Sequence, residues 1–234
     1  MGGWMLGNKV VGAEEAVSRI ESGMTIAVGG FLSQGDPLTL LRALNRTDVR
    51  DLTLYSICGG VRDRGIVELV KAGKVRKLVA SHIGTTPDVT RAFREGEIEV
   101  ELVPQGTLAE QLRCGGSGLG GFLTPTGVGT VVAEGKQHIE VGGVTYLLEL
   151  AIRTDVALVR AHTGDFWGNL RYRGTGANYN PLCATCADYV IAEVQNLRNV
   201  GEIDPETVHT PGIYVDAVVR SEISYCGEPV LGVE

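Results

Sequence analysis

The sequence predicts an α/β fold: an open, mostly parallel sheet flanked by helices, with a small β-hairpin excursion. Two observations carry this reading. Short apolar runs alternate with stretches of helical periodicity through the first half, and repeated strand–helix units of that length build parallel sheets covered on both faces. Farther on, Gly142-Gly143 separates the runs 139–141 and 144–148, a two-residue hairpin signal.

Taken in order, Ala13, Ala16, Val17 and Ile20 recur at helical spacing, and Gly23 stands where a helix cap would. Residues 24–28 form an apolar run that breaks into Gly29-Gly30. Asp36-Pro37 reads as an N-cap and first helical residue, leading into Leu38, Leu41 and Leu44 on one face. Residues 52–57 and 77–83 read as the next strands. Thr86-Pro87-Asp88 opens a helix that Gly96 closes, and 99–103 is a fourth strand. Thr107 with Glu110 reads as a capping box for a helix running to Cys114. The glycine-rich stretch 115–130 reads as neither helix nor strand. Later strands are expected at 156–161, 189–194 and 213–219. With no internal repeat and no low-complexity linker, 1–234 reads as a single domain.

Composition narrows the function. Of 234 residues, 44% are hydrophobic and 21% charged, enough apolar surface to offset the chain entropy lost on folding. A net charge of -7 argues against nucleic acid, whose phosphates need a basic face. No apolar run is long enough to span a bilayer, and the N-terminus lacks a basic region followed by an apolar core. Met1-Gly2-Gly3 fails as an acylation start, because Leu6 stands where Ser or Thr is needed. Cysteines at 58, 114, 183, 186 and 226 are odd in number and follow no disulfide spacing, which points to a reducing cytoplasm.

Several segments could carry chemistry. Gly29, Gly30, Phe31, Leu32, Ser33, Gln34 and Gly35 follow a strand and precede a helix. Glycine lets backbone approach a ligand, and free N–H groups at a helix start favour an anion. The loop matches neither a Walker loop nor the G-x-G-x-x-G dinucleotide pattern, so a tight turn that binds nothing stays equally open. Pro104-Gln105-Gly106-Thr107 also leads from a strand end into a helix; Gln105 could donate to a ligand carbonyl or tie down the loop. Both loops fall at carboxyl ends of strands, where ligands of such sheets bind.

Ser117, among glycines, lacks the strand–elbow–helix context of a hydrolase nucleophile. Cys183 and Cys186 form a lone C-x-x-C pair with no second ligand pair for a metal, and read as small buried residues. His82, at the end of an apolar strand, reads as a core histidine in preference to a residue at the edge of a site. Residues 164–170 look like a turn with an aromatic anchor, and 178–181 like a second turn.

Taken together, VGGFLSQGDP (28–37), RKLVASHIGTTP (76–87), ELVPQGTLAEQLRCGGSGLGGFLTPTGVGTVVAEGKQ (101–137), WGNLRYR (167–173), NYNPLCATCA (178–187) and HTPGIYVD (209–216) resemble the alpha (A-type) subunit of the family I CoA-transferases. The resemblance is to the branch of bacterial acetate/acetoacetate (butyrate-acetoacetate) type. The likeness runs from about residue 10 to 219, leaving 220–234, including Cys226, as a tail outside the match.

The resemblance implies a reaction. A glutamate carboxylate attacks an acyl-CoA thioester to give an acyl-glutamyl anhydride and free thiolate; the thiolate returns as a glutamyl-CoA thioester, which a second acid attacks. That glutamate lies on the partner beta (B-type) subunit in a Glu-Asn-Gly context, and no Glu of this chain is followed by Asn-Gly. The chain is therefore expected to be inactive alone and to work in an A2B2 heterotetramer. Coenzyme A is its substrate, with no tightly bound cofactor and no metal. By the same likeness, residues 29–35 match the family's CoA-binding loop, and Gln105 matches a Gln beside the thioester that polarises its carbonyl.

Two departures bear on substrate. Ile57-Cys58-Gly59-Gly60 stands where dicarboxylate-using relatives carry Asn-Asn-Ala-Gly, and Gly176-Ala177-Asn178-Tyr179 replaces an Ala-Arg-Asn-Phe. The alternatives are the corresponding part of a 3-oxoacid or 3-oxoadipate (succinyl-CoA) transferase and, in another class, a non-catalytic phosphosugar sensor on a related fold. An NAD-binding protein is disfavoured by the missing glycine fingerprint.

Overall fold

The computed structural model describes residues 7–61 and 63–223. The readings made on Met1, Gly2, Gly3, Leu6 and Cys226, and on the tail beyond 223, lie outside those residues.

Helix α1 (Ala13–Val17) buries Ala13, Ala16 and Val17. It ends well short of Gly23, because the Ser18 hydroxyl bonds back to the Glu15 carbonyl and the chain turns. Strand β1 (Thr25–Val28) follows, then α2 (Leu38–Asn45). Asp36-Pro37 does not cap α2 as expected. Pro37 takes the N-cap position at φ -78°, ψ 67°, with no side-chain cap. Next come β2 (Leu52–Tyr55), α3 (Ile66–Lys71), β3 (Val75–Ala80), α4 (Pro87–Arg94) and β4 (Glu99–Leu102). Helix α3 has no counterpart in the sequence reading; it is short and opens at Gly65.

Helix α5 (Gln105–Gly116) starts two residues before Thr107, so the expected capping box is absent. Thr107 sits buried inside the first turn with its hydroxyl unpartnered among the described residues, while Glu110 pairs with Arg113 at 2.8 Å. Nor is 115–130 irregular throughout. α5 runs on through Gly116, and β5 (Gly121–Thr124) joins β6 (His138–Val141) and β7 (Val144–Leu150) in a small antiparallel sheet, order β5-β7-β6. The glycines there answer to packing: a Cβ on Gly115 would fall 1.9 Å from the Ile152 carbonyl oxygen, and one on Gly116 2.4 Å from the Thr185 hydroxyl.

The rest of the chain holds β8 (Thr154–Asp165), β9 (Leu170–Arg171), α6 (Asn180–Cys183), β10 (Ala187–Arg198) and β11 (Ala217–Arg220). The last strand starts later than expected, since Gly212–Tyr214 is a 3-10 turn that leaves Ile213 86% exposed. The large sheet has the order β11-β10-β8-β1-β2-β3-β4 and is parallel except for β9, which pairs antiparallel with β8. Two apolar cores cover its faces, one under α1 to α4 and the other under α5 and α6. Burial on both sides explains the unbroken Ile26-Ala27-Val28. Strand order reverses between β1 and β8, so a crevice opens beyond their carboxyl ends.

Candidate functional site

Residues 29–35 leave β1 at that reversal point. Phe31 and Gln34 exchange backbone hydrogen bonds at 3.0 and 2.9 Å across Leu32 (φ 49°) and Ser33 (φ 67°), both in the left-handed region. The loop is a tight, internally bonded turn, and the expected N–H cradle is not formed. Gly29 N–H donates to the Leu158 carbonyl at 3.0 Å, and Gly30 N–H to Asn178 Oδ1 at 3.1 Å. The start of α2 already holds an anion from the protein itself: the Glu193 carboxylate accepts from Thr39 N–H at 2.8 Å and Leu40 N–H at 3.3 Å. The glycines make room for protein. A Cβ on Gly29 would lie 1.9 Å from Asn180 Oδ1, and one on Gly35 2.7 Å from Asn180 Nδ2. What the loop offers outward is Leu32 and Gln34, both exposed, and half-buried Phe31.

Gln105 is the exposed first residue of α5, and its amide has no hydrogen bond among the described residues. Its backbone carbonyl accepts the Tyr179 hydroxyl at 2.6 Å. Tyr179 belongs to a segment that reaches both candidate loops. On one side of it, Asn178 Nδ2 donates to the Gln34 carbonyl at 2.8 Å. On the other, buried Asn180 donates to the Gly35 and Gly176 carbonyls at 3.1 and 2.9 Å and accepts from Arg160 N–H at 2.8 Å. The structure thus brings 29–35 and Gln105 together through three consecutive residues, which local sequence read as a turn and which lie within the matching segment 178–187. A buried Asn is unusual enough to be a signal, but burial here comes from distant strands.

Beneath the loop lies a buried charge cluster. Arg160 Nη1 stands 3.5 Å from Glu193 Oε1, with both side chains almost wholly enclosed. Burial raises Glu193 above the usual carboxylate range, against the lowering pull of Arg160 and the Ser221 hydroxyl. Asp36 is raised to about 7, chiefly by desolvation, with Arg160 opposing and Glu193 adding to the shift. Cys58, three residues past the end of β2, is buried and its thiol is pushed up by desolvation.

His82 is not a core residue. It is half-buried at the crevice edge, edge-on to Phe31 with ring centroids 6.1 Å apart. Cys183 and Cys186 are fully buried, and desolvation raises both thiols, Cys186 to about 11. Ser117 directly follows α5, away from both loops. The anchor of the 164–170 turn is Asp165, not the aromatic: its buried carboxylate accepts from Trp167 N–H at 3.0 Å and Asn169 N–H at 2.9 Å, while Trp167 is 37% exposed. Among the described residues no three His, Cys, Asp or Glu side chains gather as a metal site, and no helix is long and apolar enough to cross a membrane.

Comparison with known proteins fits this geometry. The family described as Coenzyme A transferase matches residues 10–221. The alpha subunit of the Escherichia coli K12 acetate CoA-transferase is 50% identical over 216 residues, covering 92% of this chain and 98% of that protein. The corresponding subunit of a probable succinyl-CoA:3-ketoacid coenzyme A transferase from Bacillus subtilis is 45% identical, covering 92% and 90%. An acyl-CoA transferase of E. coli O157:H7, solved as a thioester complex with CoA, superposes with a TM-score of 0.85 at 27% identity. That alignment covers 96% of this chain but 50% of the other, so the chain spans about half of that enzyme's length. Sheet order, the paired loops at its reversal point and these alignments agree: the chain belongs to the coenzyme A transferase family.

Proposed function

We propose that this chain is the alpha subunit of an enzyme that exchanges coenzyme A between a short-chain acyl-CoA (acetyl-, butyryl- or acetoacetyl-CoA) and a free carboxylic acid. The observation that carries it is 50% identity to the alpha chain of an acetate CoA-transferase over nearly the full length of both. A glutamate of the beta subunit performs the attack on the thioester. Residues 29–35 wall the CoA crevice, and Gln105 donates from the start of α5 to the thioester oxygen as negative charge develops. The uncommitted amide of Gln105 supports that role, since a Gln tying down its loop would have its hydrogen bonds filled. The A2B2 assembly and a cytoplasmic setting belong to the same proposal; four buried, unpaired cysteines suit a reducing compartment. Reconstitution tests it: the purified chain should show no exchange, and activity should appear on adding the beta subunit. Turnover by the lone chain would overturn the division of labour.

A second reading, a 3-oxoacid or 3-oxoadipate (succinyl-CoA) transferase, is favoured by the 45% identity to the Bacillus protein. Against it, the chain carries buried Ile57 and Cys58, with no side-chain amide, where the resemblance implies an Asn pair in dicarboxylate-using relatives. Rates with acetyl-CoA and succinyl-CoA in the reconstituted enzyme separate the two. Family membership removes the phosphosugar-sensor reading.

A further inference from the structure

Strands β1, β2, β3 and β4 lie side by side in that order, and all four end at the crevice. A spacing of about 4.8 Å between neighbours sets the end of β1 about 14 Å from the end of β4. Phe31 follows β1 and Gln105 follows β4, so the residues leaving β2 and β3 fill the interval between them. The register fixes which residues these are. Cys58 bridges to His82, and Ala80 pairs with Leu102, which sets His82 level with Pro104 and beside Gln105. Cys58 is buried, whereas the ring of half-buried His82 stands in the opening.

That ring is tied from two sides. The Ser81 hydroxyl gives its single proton to the Ile57 carbonyl at 2.6 Å, so toward His82 it can only accept. Nδ1 of His82, 3.2 Å from the same hydroxyl, is therefore the donor, and the bond anchors the ring to the chain leaving β2. On its other side the ring meets Phe31 edge-on, with the planes at 76° and the centroids 6.1 Å apart. The backbone beneath is fastened as well: Gly59 N–H donates to the His82 carbonyl at 3.0 Å. A side chain held in this way is a wall, because turning it aside breaks the bond to Ser81 and the contact with Phe31 together.

We propose that His82 is a specificity-determining residue that limits acyl chain length, its ring closing the space in which the acyl group lies when the thioester oxygen meets Gln105. The inference rests on the CoA-transferase reading above and narrows its substrates to acyl groups no longer than butyryl. An acetyl, acetoacetyl or butyryl group reaches only a short way from the carbonyl and stops at the ring. A hexanoyl chain runs into it and has to push it off Ser81 and Phe31. One surplus methylene in a closed pocket already changes selectivity about 10- to 200-fold. Ser81 acts through the ring, as a positioning residue.

The test is the ratio of kcat/KM for hexanoyl-CoA to that for acetyl-CoA in the reconstituted enzyme, since any loss of folded protein cancels within one preparation. His82→Ala should raise this ratio at least about tenfold, the effect of readmitting one methylene or more. His82→Phe keeps a ring in place and should leave the ratio within about twofold of wild type. Ser81→Ala frees the ring without removing it and should raise the ratio about threefold, while Ser81→Thr, which keeps the hydroxyl, should hold it at the wild-type value. An unchanged ratio in His82→Ala, or an equal rise in His82→Phe, would overturn the proposal. A wild-type complex that exchanges no CoA at all would sink the reaction proposed above; active exchange with the same ratio in every variant would sink the wall alone.

Discussion

Gln105 shows how little of a site need be visible in a residue type. Its position at a strand end was readable; its free amide follows from α5 starting at Gln105 itself, two residues earlier than the Thr107-Glu110 pattern implied. Gln105→Ala in the reconstituted enzyme should lower kcat about a hundredfold, the cost of one oxyanion donor, with far less effect on acyl-CoA affinity. Steady-state and binding measurements together check this, and an unchanged kcat would remove Gln105 from the mechanism. Asp36 is the opposite case, a residue read as a helix cap that proves to be a desolvated acid raised to about 7. Because the folded state holds this proton more tightly than the unfolded chain, Asp36 makes stability fall as pH rises from the unfolded value near 4 to about 7. Asp36→Asn should therefore flatten the decline across that window. Urea melts at several pH values would show it, and parallel curves would contradict it. Neither Asp36 nor Asn180 could be read in advance, because what surrounds them comes largely from segments far away in sequence, as in Arg160 Nη1 donating to the Asp36 carbonyl at 3.3 Å.

At the level of elements, the reading succeeded where one local rule decides and failed where packing does. Strands β1 to β3 were visible because a doubly covered parallel strand is a short apolar run. Helix α3 escaped notice because Ile66–Lys71 is too short for periodicity to register. The stretch 115–130 misled because glycine usually breaks a helix, whereas Gly115 and Gly116 are the sizes that α5 needs against Ile152 and Thr185. Helix α2 owes its start to Glu193 on β10, a dependence no sequence window contains. Glu193→Ala should cost about 3–5 kcal/mol, since it leaves Arg160 buried without its carboxylate and strips the first turn of its acceptor. Equilibrium urea unfolding measures it, and a loss below about 1 kcal/mol would mean that water replaces the carboxylate.

For the molecule as a whole, the class of sheet was legible and its strand order was not. Periodicity marks strands but is silent on which neighbours they take, so nothing local announced that β8 would lie between β1 and β10. The interior encloses Cys58, Cys114, Cys183 and Cys186. These four thiols should resist a thiol reagent in native buffer and react together on unfolding, with labelled peptides mapped by mass spectrometry; fast native labelling of any one would contradict the packing described. The placement of β8 also bears on synthesis. Until residue 154 onward has emerged from the ribosome, β1 is an open edge with a ready row of unpaired amides. The nascent polypeptide must cross that interval shielded by a chaperone or exposed to clumping, and a message broken before β8 would yield scrap in place of a weakened protein.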